Sequence, residues 1–174
     1  DKMLADATVA TEALEQDRAK LVLAVQARVA RAQKLVLDLD AVAMPADANK
    51  TETDEITAAV GDAKKPLVAP YADVMLDDAD KALLDINARI NEIAAAAADR
   101  VLRRKALTDR LDKLAFAPET TPLEIAAFGK TRAACRTEIS AAADDAAIVT
   151  ADGNVDKLEK EVAAHAVFAA ARAV

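Results

Sequence analysis

Residues 28–43 read RVARAQKLVLDLDAVA, and residues 100–115 read RVLRRKALTDRLDKLA. Seven of these sixteen aligned positions are identical: Arg28/Arg100, Val29/Val101, Arg31/Arg103, Leu35/Leu107, Leu39/Leu111, Asp40/Asp112 and Ala43/Ala115. Both stretches place apolar residues three and four apart, which is the spacing of one face of an α-helix. Each then meets a proline (Pro45, Pro118) and a threonine-rich break (Thr51 and Thr53; Thr120 and Thr121). A second helical pattern follows in each, opening Glu-Ile and carrying a glycine: Glu55-Ile56 to Gly61, and Glu124-Ile125 to Gly129. An offset of 72 residues predicts an internal duplication of a long-helix/short-helix unit. The expected repeat units are 1–72 and 73–150 within one elongated domain, 1–174, with 151–174 opening a third unit or closing the bundle.

Composition points the same way. Of 174 residues, 46 are alanine, the best helix former, whereas glycine (3) and proline (5) are scarce. Aromatics make up 2%, so any core is built from Leu, Ile, Val and Ala, with Phe116, Phe128, Phe168 and Tyr71 adding bulk. The turn residues and β-branched runs of a β protein are missing. The expected fold is all-α: an elongated antiparallel bundle of long, coiled-coil-like helices, the alanine-rich seams drawing them close.

Five helices are legible. The first spans about 2–43, its seam running through Leu14, Leu21, Val25, Ala32, Leu39 and Ala43, and ends before Pro45. The second begins with Thr51 as its cap and reaches about residue 65. Asp77-Asp78, suited to the positive end of a helix dipole, marks the start of the third. Its seam is Leu83, Ile86, Ile90, Ile93, Ala97, Val101, Leu107, Leu111 and Leu114, and Asp85–Arg89, Asp99–Arg103 and Asp109–Lys113 are candidate pairs along it. Thr121-Pro122-Leu123-Glu124 is a capping box with proline at the first helical position, opening a fourth helix to about residue 149. Asp152-Gly153-Asn154 is expected to turn the chain into a fifth helix from Val155. The chain opens at Asp1 without a leader pattern and stops at Ala173-Val174 inside a helical pattern, which reads as a piece of a longer protein.

Charge excludes several function classes. A net charge of −7 disfavours unspecific nucleic-acid binding, and the one dense basic run, Arg103-Arg104-Lys105, is flanked by Asp99, Asp109 and Asp112. No apolar run reaches the roughly eighteen residues of a membrane span. Cys135 is alone, so no intrachain disulfide forms.

Reactive constellations are equally thin. His165 is the single histidine, surrounded by Ala163, Ala164, Ala166 and Val167, and no HExxH exists to hold zinc. Cys135 has Arg132 and Arg136 nearby but lies thirty residues from His165 and reads as a small packed hydrophobe. Asp152-Gly153-Asn154-Val155-Asp156 fails as a calcium loop, because from Asp152 the sixth and twelfth places hold Lys157 and Ala163. The doublet Asp77-Asp78 reads as a helix start and Asp144-Asp145 as a solvated face. Asn49-Lys50-Thr51 reads as a plain turn rather than a glycan acceptor.

The expected chain is therefore a non-catalytic helical interaction or scaffold module, without catalytic residues, cofactor or metal. It binds another protein or itself through helix surfaces. Leu21-Val22-Leu23 and Leu35-Val36-Leu37 widen the apolar stripe beyond a two-helix seam and ask for neighbours. The Ala/Asp/Arg-rich composition suggests a bacterial source. The alternative function is then a delivery or docking segment of a secreted toxin, effector or secretion-apparatus protein, secreted or cell-surface-associated. A ligand-binding sensor bundle is the third reading, short of the aromatic walls that such pockets use.

Overall fold

The computed structural model describes residues 2–172; Asp1 lies outside the described residues, as do Ala173 and Val174, which the sequence places in a helical pattern. Among the described residues the chain forms five helices and no strand: α1 (Lys2–Asp40), α2 (Lys50–Lys64), α3 (Asp73–Lys113), α4 (Pro122–Ala141) and α5 (Asp145–Arg172). The all-α expectation holds, and the long helices pack against one another.

The chain gathers into two compact units. The first comprises residues 1–44 and 50–91, the second residues 45–49 and 92–174, with the dividing line inside α3.

In the first unit, Arg28 pairs with Asp73 and Arg31 with Asp77 and Asp80, so numbering rises together along α1 and α3 and the two run parallel. Glu55 of α2 pairs with Arg89 while Lys64 reaches Asp40, placing α2 antiparallel between them. Ala32, Leu35 and Leu39 of α1 are buried, as are Ile56 and Ala63 of α2 and Leu76, Ala79 and Ile86 of α3.

The second unit repeats this up-down-up path with the C-terminal half of α3, then α4 and α5. Arg103 meets Asp145, and Arg110 meets Asp152, Asp156 and Glu159, so α3 and α5 run parallel. Arg136 of α4 pairs with Asp112, and Asn154 of α5 donates to Glu138 of α4, so α4 is antiparallel to both. The core holds Leu107, Leu111, Cys135, Ile139, Ile148, Val155 and Leu158. Each buried Leu or Ile is worth roughly 1.5–3 kcal/mol of transfer free energy.

Several boundaries correct the sequence reading. The second helix starts at Lys50, so Thr51 lies within its first turn and is not the cap. The third starts at Asp73 rather than Asp77, because Leu76 and Ala79 already belong to the buried seam. Helix α4 stops at Ala141, not near residue 149, and Asp152-Gly153-Asn154 is not a turn but lies inside α5. Asp144 accounts for the break: its Oδ1 accepts from the Ala147 amide at 2.8 Å, restarting the chain as a helix. Asp145 then pairs with Arg103, so the doublet is a helix start and not an idle solvated face.

The Thr121 capping box is present as expected, with Thr121 accepting from the Glu124 amide and the Glu124 side chain accepting from the Thr121 amide. In α3 the seam passes through buried Arg100 instead of Val101, the Arg100 guanidinium donating to the Asp47 carbonyl at 3.2 Å. Arg132 donates to Leu111 O in the last turn of α3 and, at 3.1 Å, to Leu114 O just beyond its end.

Burial recurs at a spacing of 72. Helices α2 and α4 begin at Lys50 and Pro122, and α3 and α5 at Asp73 and Asp145. Leu35/Leu107, Leu39/Leu111, Ala63/Cys135, Leu67/Ile139, Leu76/Ile148 and Ile86/Leu158 are buried in both members.

Candidate interaction surface

A helix of 39 residues at about 1.5 Å per residue is nearly 60 Å long, whereas the 15 residues of α2 span little over 20 Å. The short helix cannot cover the long one. Parallel α3 cannot do so either, because its first residue, Asp73, already faces Arg28. All side chains described between Lys2 and Ala27 are therefore exposed. Leu14 and Leu21 are 71% and 67% exposed, against 2% for Leu35 and 1% for Leu39 further along the same helix. Met3, Val9, Val22, Leu23 and Val25 join them.

The sequence reading placed Leu14, Leu21 and Val25 in the bundle seam; the structure gives that seam no neighbour there. Helix length was the available signal, since a break near residue 50 and prolines at 66 and 70 already limit the second helix. Lys20 pairs locally with Asp17, and among the described residues Glu12, Glu15 and Arg18 have no partner.

Three other places carry concentrated polar chemistry. On the first unit, α2 and α3 leave a groove of about 370 Å³, floored by Ile56, Ala59, Ala63, Ala82 and Ile86 and edged by Glu55, Asp62, Asp85 and Arg89. Arg89 donates from Nε to Glu55 at 2.9 Å.

On the second unit, Arg110 of α3 is gripped by three carboxylates of α5 at 2.5–2.7 Å: Asp152, Asp156 and Glu159. Its pKa is raised by hydrogen bonding to Glu159 and Asp156, which keeps the guanidinium charged under all ordinary conditions. Arg110 offsets part of the charge of these acids, and the cluster forms a structural tie between parallel helices.

The third place joins α4 to α5. Glu124 accepts from Arg172, from Thr121 and from His165, whose Nε2 lies 2.8 Å away. These donors, Arg172 first, hold the Glu124 carboxyl well below the usual carboxylate range. His165 also stands edge-on to Phe128, ring centroids 5.3 Å apart, and Phe128 stacks on Phe116 at 5.7 Å. Cys135 lies on α4 eleven residues beyond Glu124, roughly 16 Å along the helix axis. It is buried, and burial pushes its thiol pKa up, away from the reactive thiolate. Cys135 and His165 thus belong to separate surroundings, one in the core and the other in a helix-to-helix tie. The uncovered run of α1 leaves an apolar stripe exposed along one helix.

Comparison with known proteins gives no relative: no family model, no curated protein and no solved structure matches this chain. Among the described residues no helix is long and apolar enough to cross a membrane, and no group of three or more His, Cys, Asp or Glu is placed to hold a metal ion.

Proposed function

We propose that this chain is a non-catalytic helical interaction module that binds another protein through the exposed first part of α1. The observation that carries this reading is the contrast within one helix. Leu35 and Leu39 are buried by α2 and α3, whereas Leu14, Leu21 and Val25 continue the same stripe into solvent. Exposed large aliphatics occurring singly need no explanation, but a stripe of them on one helix marks an interaction surface. We read the recurrence at 72 residues as an internal duplication, which makes the module one of a repeating kind.

Sedimentation velocity over a range of concentrations, paired with binding of an apolar dye, tests this. The chain is expected to bind dye or to self-associate, and Leu14→Asp with Leu21→Asp is expected to abolish either behaviour without altering the helical content. A monomer that binds no more dye than this double variant would overturn the reading.

A further inference from the structure

The same place on the two units is built differently. On the first unit the groove between α2 and α3, about 370 Å³, has a floor of Ile56, Ala59, Ala63, Ala82 and Ile86. The positions 72 residues on, in the second unit, hold Phe128, Thr131, Cys135, Asn154 and Leu158. Each alanine gives way to a larger side chain, and Asn154 donates to Glu138 at 2.7 Å, tying α5 to α4. The rim changes too. Glu55, Asp62 and Asp85 have Ala127, Ala134 and Lys157 as counterparts. A small-residue floor and an acidic rim thus occur together on the first unit, and both are lost on the second.

The lining defines a ligand. The floor carries no hydrogen-bonding side chain, and Ile56, Ala63 and Ile86 are buried, which suits a hydrocarbon body. Its alanines offer no aromatic wall, and an aliphatic body needs none. Polar side chains stand only on the rim. Arg89 is the one cation among the described residues that line the groove, and it is tied to Glu55. Asp62 and Asp85 are left as excess negative charge on the rim.

The Glu55–Arg89 pair also fixes the levels of the antiparallel helices. Asp62, seven residues past Glu55, stands level with Ala82, seven before Arg89. By the same count Asp85 stands level with Ala59. The two carboxylates therefore flank the alanine end of the groove from opposite sides, while Ile56 and Ile86 lie toward the Glu55–Arg89 end. Asp62 also meets Lys65, three residues on, but both side chains are largely exposed, and such a pair is weak enough for a bound cation to displace.

We propose that the α2–α3 groove binds an organic monocation with an aliphatic body, its ammonium between Asp62 and Asp85 and its chain along Ile56 and Ile86. The site uses no residue of α1, so its failure leaves the reading of α1 standing.

The test titrates the full chain, labelled at alanine and isoleucine methyls, with hexylammonium and follows the methyl signals by NMR. Saturable shifts are expected at Ala59, Ala63, Ala82 and Ile86. Hexanol keeps the chain without the charge, and methylammonium keeps the charge without the chain. Each is expected to bind more weakly by about fivefold or more, the effect of losing one half of the contacts. Asp62→Ala with Asp85→Lys, the residues of the second unit, is expected to erase the preference for hexylammonium over hexanol. Ala59→Thr with Ala82→Asn is expected to weaken both, with circular dichroism unchanged in either variant. Methylammonium that matches hexylammonium would mean attraction to the net charge of −7 and overturn the proposal. A preference that survives the rim change would overturn it as well, as would shifts centred on the alanines of α1.

Discussion

Asp73 and Asp145 open the third helix of their respective units, and each is gripped by an arginine of the first helix, Arg28 at 2.5 Å and Arg103 at 2.6 Å. A carboxylate at this place satisfies the positive end of its own helix and fixes the register of the parallel neighbour at once. One residue position thereby sets both where a helix starts and how it docks.

Because α5 starts at Asp145, Gly153 stands in the middle of a helix. A Cβ added there meets no atom within 4 Å. Gly153→Ala is expected to stabilise the protein by about 0.5–1 kcal/mol, since alanine loses less backbone freedom on entering a helix. Denaturant unfolding checks this, and destabilisation would restore a turn at Asp152-Gly153-Asn154.

Leu111 is fully buried in the core of the second unit, between Leu107 and Ile139. Leu111→Ala is expected to cost about 2–5 kcal/mol through lost transfer energy and the cavity left behind. A loss below about 1 kcal/mol in chemical denaturation would mean that this core is not close-packed.

Leu14→Asp with Leu21→Asp is expected to leave stability within about 0.5 kcal/mol of the parent, as substitutions on exposed positions do. A fall in melting temperature of several degrees would show that the run is covered within the folded chain.

Glu124, Glu55, Asp73 and Asp156 all titrate below their ordinary values because Arg172, Arg89, Arg28 and Arg110 respectively hold their charged forms. A depressed carboxylate adds stability above its unfolded pKa, near 4, and loses it as pH falls through the folded value. The melting temperature is therefore expected to stay level from pH 7 to about pH 5 and to fall below about pH 4. Glu124→Gln is expected to remove part of that acid dependence. Stability that rises on acidification would contradict these pairs.

Much of the fold was legible because three-and-four spacing, the Thr121-Pro122-Leu123-Glu124 start and the two prolines after α2 each act locally. What escaped the sequence depended on partners distant in the chain. The start of α3 at Asp73 is decided by Arg28, some 45 residues earlier, and the burial of Arg100 by the Asp47 carbonyl. Asp152-Gly153-Asn154 has turn residues, yet Ile148, Ala151, Val155 and Leu158 bury a continuous helical stripe that overrides them. The candidate surface was half visible: the apolar run around Leu21 could be read, but whether α2 would reach it could not be settled by periodicity alone.

Amide hydrogen exchange on the dilute chain, read residue by residue, probes the uncovered helix most directly. Residues 7–25 are expected to exchange nearly as fast as an isolated helix, while Ile86 to Ala97 exchange orders of magnitude more slowly. Equal protection of both stretches in a sedimenting monomer would mean that α1 is already covered, and that this chain has no open surface there to offer a partner.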